Sequence, residues 1–393
     1  MNITIYPTRL DGCIDAVASK SHMQRLLICA ALADLPTDIL CGAVCDDIHA
    51  AVDCLTALGA GIHRTETGYH VTPIERPPEY AVLHCGESGA VARFMMPVVG
   101  ALGVEATFHL SGRLAQRPLD PLMQAMQQHG CRFQWIGTDR FRITGKLTSG
   151  SFSLPGNVSS QFISGLLMAF PLIQGNCALH VTGQVASKPY IQMTRDTLAL
   201  FGVGDPACKG YQSPGLVHCE GDWSGAAFYL GAKALNNPVT VRGLNSDSPQ
   251  ADKALLSVLP VLTNRAVVDA TDIPDLVPIL AVVAAANRGA SFTGISRLRL
   301  KESDRVATIC GMLSALGIST ESTEDTLTVY PGQFRGGIVD SFGDHRIAMA
   351  AAIAATAAAG PVTILNAHCV NKSYPRFWAD YQALGGHYEL HLR

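Results

Sequence analysis

The sequence predicts an α/β protein of two similar domains, each holding three mixed helix–strand units. Three observations carry that expectation. The chain has 393 residues, enough for two domains with a core apiece. Helical runs close repeatedly on a glycine followed by a β-like stretch: "LTALGAGI" at Gly59, "AMQQHGCRF" at Gly130, "LALFGVG" at Gly202, "LSALGIST" at Gly317 and "YQALGGHYEL" at Gly385. In "LPVLTNRAVV", Asn264 holds the same place, and Asn also accepts the left-handed turn that ends a helix. Several of these stops lead into two strand-like runs joined by a turn, as in "GIHRTETGYHVTPI", "CRFQWIGTDRFRITG" and "STESTEDTLTVYPG". The recurrence is longer than familiar solenoid repeats, so two globular halves of three units fit better than a rod.

Composition narrows the class. Apolar residues make up 48% of the chain and charged residues 16%, which favours a folded core over disorder. Lys and Arg number 29 against 32 Asp and Glu, so the chain lacks the basic surface that coats nucleic acid. Any anion site must be built locally. The opening "MNITIYPTRLDG" alternates like a strand and has no signal-peptide core. The runs "LVPILAVVAAA" and "IAMAAAIAATAAAG" are too short to span a bilayer. Twelve cysteines show no C-x-x-C pair, which points to reduced thiols in a core, a cytoplasmic setting and no structural zinc.

Along the chain, helix starts attract the chemistry. In "SKSHMQRLLICAALA", Ser21 and Arg25 are four apart and share a face, while Lys20 sits in the first turn. The helix dipole disfavours a cation there, so stability alone would select Asp or Glu. "CGESGAVARFMMPVVGAL" places Gly86 and Gly89 around a turn and Arg93 shortly after; free amides at such a start can hold an anion. "PGNVSSQFISGLLMAF" offers Ser159, Ser160 and Gln161. One serine is an ordinary cap, but three neutral donors suit a phosphorylated ligand.

"HCEGDWSGAAFYLG" marks a strand-to-helix switch between Gly221 and Gly225. "TDIPDLVPIL" sets Asp275 ahead of an apolar helix after a proline turn; capping alone would also explain it. "RLRLKESDRVATICGMLSALG" carries Lys301, Glu302, Ser303, Asp304 and Arg305, with Ser303 expected as the cap. "DSFGDHRIAMAAAIAAT" puts Asp344, His345 and Arg346 at the mouth of an alanine helix. Arg117, Lys188 and Lys372 are further cationic points. Each segment alone also fits a cap or a solvated turn. Together they gather like charges that repel unless polyanions fill the gap.

The ordered motifs Lys20-Ser21-x-x-x-Arg25, "GESGAVAR", "QRPLDPL", "VSSQF", "SKPY", "IPD", "KESDR", "GDHRIAMA" and the Lys372 segment resemble the EPSP synthase family over essentially the whole chain. The resemblance implies an inside-out α/β barrel in each domain, built of three βαβαββ units, with the active site in the interdomain cleft. It places residues 1–11 and 222–393 in one domain and 12–221 in the other, the first strand crossing over. It implies transfer of the enolpyruvyl group of phosphoenolpyruvate to the 5-hydroxyl of shikimate 3-phosphate, by a monomer with no metal and no organic cofactor. Shikimate 3-phosphate would be held by Lys20, Ser21, Arg25, Ser159, Ser160, Gln161, Ser187, Tyr190, Asp275 and Lys301. Lys20, Gly89, Arg117, Gln161, Arg305, Arg346 and Lys372 would surround phosphoenolpyruvate.

The chemistry needs a base near the hydroxyl and an acid near the methylene. Asp275 is chosen as the base; Glu302, Lys20, His345 and Lys372 remain candidates for the acid. Glu87, Ala90 and Arg297 depart from common forms of the pattern, and Glu87 should pair with a nearby cation. Gly89 hints at sensitivity to glyphosate. The rival reading within the fold is UDP-N-acetylglucosamine enolpyruvyl transferase, which has Lys-Asn near its start and usually a reactive cysteine before its Arg-Pro. Here the sequence has Lys20-Ser21 and "SGRLAQRPL". A non-catalytic phospho-ligand binder would be expected to lose Asp275, Lys301, Arg346 or Lys372, and all four are present.

Overall fold

The computed structural model describes residues 1–204 and 210–391. In chain order the elements are β1 (Asn2–Tyr6), β2 (Gly12–Asp15), α1 (Lys20–Ala31), β3 (Thr37–Leu40), α2 (Asp46–Ala57), β4 (Gly61–Arg64), β5 (Gly68–Thr72), β6 (Tyr80–His84), α3 (Gly89–Leu102) and β7 (Glu105–His109). They continue with α4 (Asp120–Gln127), β8 (Cys131–Trp135), β9 (Arg140–Gly145), β10 (Gly150–Pro155), α5 (Ser160–Ala169), β11 (Cys177–Thr182), α6 (Lys188–Leu200), β12 (Leu216–His218), α7 (Trp223–Ala234) and β13 (Val239–Arg242). Next come α8 (Leu255–Val261), β14 (Ala266–Asp269), α9 (Val277–Ala286), β15 (Ala290–Thr293), α10 (Arg305–Ala315), β16 (Thr320–Ser322) and β17 (Thr326–Val329). The last are β18 (Gly337–Asp340), α11 (His345–Ala355), β19 (Val362–Leu365), α12 (Phe377–Ala383) and β20 (His387–His391).

The chain divides into an amino unit, Ala18–Gly42 with Asp46–Glu220, and a carboxyl unit, Met1–Val17 with Ala43–Cys45 and Gly221–Arg393. The division expected after residue 11 therefore falls after Val17. Its cause is β2, which pairs in parallel with β13 and so keeps residues 12–15 with the carboxyl unit.

One plan recurs in both units. The amino unit holds sheets ordered β12-β3-β5-β4 and β6-β7-β9-β8, with the pair β10-β11. The carboxyl unit holds β14-β15-β17-β16 and β18-β19-β1-β20, with the pair β13-β2. In every four-stranded sheet the first two strands run parallel and the others join antiparallel. Strand β1 thus takes the position in its sheet that β5, β9 and β17 take in theirs. Parallel neighbours need a crossover helix, and α3, α9 and α11 supply it between β6 and β7, β14 and β15, and β18 and β19.

These crossover helices are inside. All eleven residues of α11 are buried, and α9 is buried from Val277 to Ala285. A helix apolar on every face belongs in an interior, and the run of alanines lets neighbours come close. The same device appears at Gly231 on α7, where a Cβ would run into Ile279 of α9, and at Gly165 on α5, where it would strike the Arg93 carbonyl of α3. The expected helix stops Gly59, Gly130, Gly202, Gly317 and Gly385 all have positive φ. Asn264 does not join them. Helix α8 contains Pro260 and closes through ordinary turns, with the Asn264 amide donating to the Val261 carbonyl. Among the described residues no helix is long and apolar enough to cross a membrane.

Candidate active site

In the amino unit, the buried Ser19 caps α1 by accepting from the His22 amide, at 3.4 Å. The first-turn cation is compensated: Lys20 Nζ lies 3.0 Å from Asp47 Oδ2, and that carboxylate is 7% exposed. Asp47 comes from the first turn of α2, where the dipole favours an anion. One turn along α1, Arg25 is 2% exposed and donates from each of its nitrogens. Nε reaches Thr194 Oγ1 at 2.7 Å, Nη1 the Ser21 carbonyl at 2.6 Å and Nη2 the Tyr190 carbonyl at 3.1 Å. Burial pushes the Arg25 guanidinium down to about 10, so it remains a cation at neutral pH. It also lies over the Phe94 ring, 4.9 Å from its centroid.

The next helix start, α3, is capped by the buried Ser88, which accepts from the Val91 amide at 3.4 Å. Gly89 follows as the first helical residue, with the Arg117 guanidinium laid against it. A Cβ at Gly89 would sit 2.9 Å from Arg117 Nη1 and 3.0 Å from Cζ. Arg117 ends the short 3-10 turn Gly112–Gln116. At the start of that turn, Gly112 has positive φ and the Glu87 carboxyl lies where a side chain would begin. Arg93 spans from α3 to the next site helix, donating to Gln161 Oε1 at 2.7 Å and to the Pro118 carbonyl at 2.9 Å. Ser159 caps α5 and Ser160 is its first residue, both nearly buried. Ser187 precedes α6 in the left-handed region, φ 56°, a conformation that costs a non-glycine residue about 1–3 kcal/mol and persists only where surroundings enforce it. Here Ser187 is buried.

The carboxyl unit gathers its cations on one carboxylate. Asp275 Oδ1 accepts from Arg305 Nη1 at 2.8 Å and Lys301 Nζ at 3.4 Å, and Oδ2 lies 3.2 Å from Arg346 Nη2. Burial works against its charge, yet Arg346, Lys301 and Arg305 hold this carboxyl well below the usual carboxylate range. Arg305 is fully buried and bound on every side: Nε to Asp344 Oδ2 at 2.9 Å, Nη2 to Glu302 Oε2 at 2.6 Å. Burial disfavours its charge, but Asp344, Glu302 and Asp275 outweigh that and raise its pKa. Glu302 Oε1 is 3.8 Å from Lys372 Nζ. Burial, against the pull of Asp275, lowers Lys301 to about 8. Asp344 is 0% exposed; it accepts from the Arg346 amide to cap α11 and from Ser303 Oγ, each at 3.0 Å.

Among the residues expected from sequence, Lys20, Ser21, Gly89, Arg25, Arg117, Ser159, Ser160, Gln161, Ser187 and Tyr190 lie in the amino unit, at the starts of α1, α3, α5 and α6 and on the turn before α4. Asp275, Lys301, Glu302, Arg305, His345, Arg346 and Lys372 lie in the carboxyl unit. Two local expectations are corrected. The cap of α10 is Asp304, accepting from the Ala307 amide at 3.1 Å, while Ser303 points to Asp344 instead. Asp275 caps nothing: the residue before α9 is Leu276, and the Asp275 carboxylate is taken up by cations. His345 Nδ1 is 3.9 Å from Asp344 Oδ1, too far for a hydrogen bond. Sequence reasoning missed Asp47 and Gln24, which hold the amino-unit tips in place; Asp47 carried the faint signal of an acid in the first turn of a helix. Among the described residues no group of three or more His, Cys, Asp or Glu side chains is arranged to hold a metal ion.

The chain is 35% identical to the 3-phosphoshikimate 1-carboxyvinyltransferase of Clostridium kluyveri, over 98% of this chain and 97% of the relative. It is 35% identical to that of Dehalococcoides mccartyi, over 95% and 96%. A solved structure of EPSP synthase from Acinetobacter baumannii shares the fold, with a TM-score of 0.79 at 21% identity, covering 99% of this chain and 100% of that one. The model of the family "EPSP synthase (3-phosphoshikimate 1-carboxyvinyltransferase)" matches residues 5–381, and with cationic helix tips of the kind just described along that span, the chain belongs to the EPSP synthase family.

Proposed function

We propose that this chain transfers the enolpyruvyl group of phosphoenolpyruvate to the 5-hydroxyl of shikimate 3-phosphate, releasing phosphate, on the route to aromatic amino acids. The observation that carries this reading is the Asp275 cluster, in which Arg305, Lys301 and Arg346 surround a carboxylate that is still 22% exposed. Three cations converging on one part-exposed carboxylate suit a site for anionic substrates.

The reaction proceeds in two steps. The 5-oxygen bonds to C2 of phosphoenolpyruvate while its proton passes to a base, and C3 takes a proton to become a methyl group. The C2–O bond to phosphate then breaks, the phosphate departs with the electron pair, and C3 gives its proton back as the double bond re-forms. Asp275 is the base in this reading: its carboxylate is ionised at neutral pH and positioned by three fixed cations. Glu302 and Lys372, 3.8 Å apart, offer a proton donor and acceptor side by side for C3; Lys20 and His345 are the other candidates.

Shikimate 3-phosphate is assigned to Lys20, Ser21, Arg25, Ser159, Ser160, Gln161, Ser187, Tyr190, Asp275 and Lys301. Phosphoenolpyruvate is assigned to Lys20, Gly89, Arg117, Gln161, Arg305, Arg346 and Lys372. The cations stabilise charge on the departing phosphate, where one preorganised donor is worth about 3–4 kcal/mol of barrier. The acting species is a monomer in the cytoplasm, a setting supported by the free thiols of the described cysteines. The test is phosphate release from phosphoenolpyruvate with and without shikimate 3-phosphate. Release only with shikimate 3-phosphate is expected; release only with UDP-N-acetylglucosamine would overturn the reading.

A further inference from the structure

Gln24 belongs to no motif, yet it ties three elements of the amino unit together. It lies one turn beyond Lys20 on the same face of α1 and is 1% exposed. Its Nε2 donates to the Asp47 carbonyl at 3.1 Å and to Ser88 Oγ at 3.3 Å. The first of these partners belongs to the residue whose carboxylate holds Lys20, at 3.0 Å. The second caps α3, immediately before Gly89. A carbonyl can only accept, so the amide nitrogen must face Asp47, which fixes the orientation of the side chain. The opposite atom, Oε1, is buried and accepts no hydrogen bond among the described residues. Leaving that oxygen unpaired has a cost, and a residue selected for packing alone would avoid it.

We infer that Gln24 is a positioning residue that sets Lys20 and Gly89 against each other as a joint cradle for phosphoenolpyruvate. This rests on the assignment of those two residues to that substrate. Of the groups assigned to shikimate 3-phosphate, Lys20 alone is shared with this cradle; Arg25 is anchored independently, by Thr194, the Ser21 carbonyl and the Tyr190 carbonyl. Gln24 therefore acts chiefly on phosphoenolpyruvate, through both Lys20 and Gly89, and on shikimate 3-phosphate through Lys20 alone.

Gln24→Leu keeps the volume and removes both donors. Steady-state kinetics should show the KM for phosphoenolpyruvate raised about tenfold, with the KM for shikimate 3-phosphate and kcat each within threefold of wild type. A phosphoenolpyruvate KM within twofold of wild type, or an equal rise in both KM values, overturns the inference. Gln24→Glu supplies a second readout if the leucine variant does not fold. A carboxyl there can donate to the Asp47 carbonyl only while protonated, and burial raises its pKa. Its phosphoenolpyruvate KM should approach the wild-type value at pH 6 and climb as pH rises, whereas a profile parallel to wild type refutes the role. Wild-type protein that releases no phosphate with both substrates sinks the functional reading and the inference together. A working wild type beside unmoved variants sinks the inference alone.

Discussion

Replacing Asp344 by Asn tests the arrangement of the carboxyl unit most severely. The carboxylate is 0% exposed and accepts four hydrogen bonds: from Arg305 Nε at 2.9 Å, Arg305 Nη2 at 3.3 Å, Ser303 Oγ at 3.0 Å and the Arg346 amide at 3.0 Å. Asn keeps the shape but retains one acceptor oxygen, and it turns an amide group toward donors. It also removes one negative charge from beside Arg305. Breaking a buried ion pair by removing one partner costs about 3–5 kcal/mol. For a unit of this size each kcal/mol moves the midpoint by about 2–4 °C, so the transition of the carboxyl unit should fall by roughly 6–20 °C. Differential scanning calorimetry of wild type and Asp344→Asn measures it. The control is Asp15→Asn, which removes the exposed Arg242 pair and should leave the transition in place. A shift under 2 °C for Asp344→Asn would refute the claim that this carboxylate anchors Arg305.

Other perturbations separate the roles of single residues. Asp275→Asn should bind both substrates and lose about 10²–10⁴-fold in kcat; rapid-quench assays showing near-normal turnover would remove Asp275 from the chemistry. Gly89→Ala places a Cβ about 3 Å from the Arg117 guanidinium, so the KM for phosphoenolpyruvate should rise several-fold while that for shikimate 3-phosphate holds; a phosphoenolpyruvate KM equal to that of wild type would contradict the contact. Lys301 sits near about 8 in the free protein, and only its protonated form attracts a phosphate ester that is already fully ionised. Shikimate 3-phosphate affinity, measured by titration calorimetry, should therefore fall as pH rises through about 8, with the loss delayed to higher pH in Lys301→Arg. Flat affinity from pH 7 to 9.5 would tell against Lys301 as a ligand.

Much of this fold was legible because glycine has few substitutes at a left-handed helix stop: Gly59, Gly130, Gly202, Gly317 and Gly385 each mark a true end. Asn264 follows the end of α8 as expected, but through an ordinary turn and not the left-handed conformation, because Asn fits both. The cations of the site stood out in sequence because a positive charge at a helix start opposes the dipole. Their partners did not. Asp47 reads as a normal first-turn acid, and Gln24 as one more polar residue on an amphipathic helix. Asp304 and Ser303 are adjacent, and only the fold shows that the carboxylate turns back to α10 while the hydroxyl crosses to Asp344. Long-range pairing is what local pattern leaves out.

Strand β1 lies between β19 and β20, with Ile3 beside both Ile364 and Leu390. A ribosome delivers those first residues long before their neighbours. At about 5–20 residues per second the wait is roughly 20–70 seconds, during which Asn2–Tyr6 lacks both of its neighbouring strands. Any extension fused ahead of Met1 would ride on that waiting strand. Linking the two ends of the chain and opening it elsewhere would abolish the delay, and such a permuted protein should accumulate with less aggregation during synthesis.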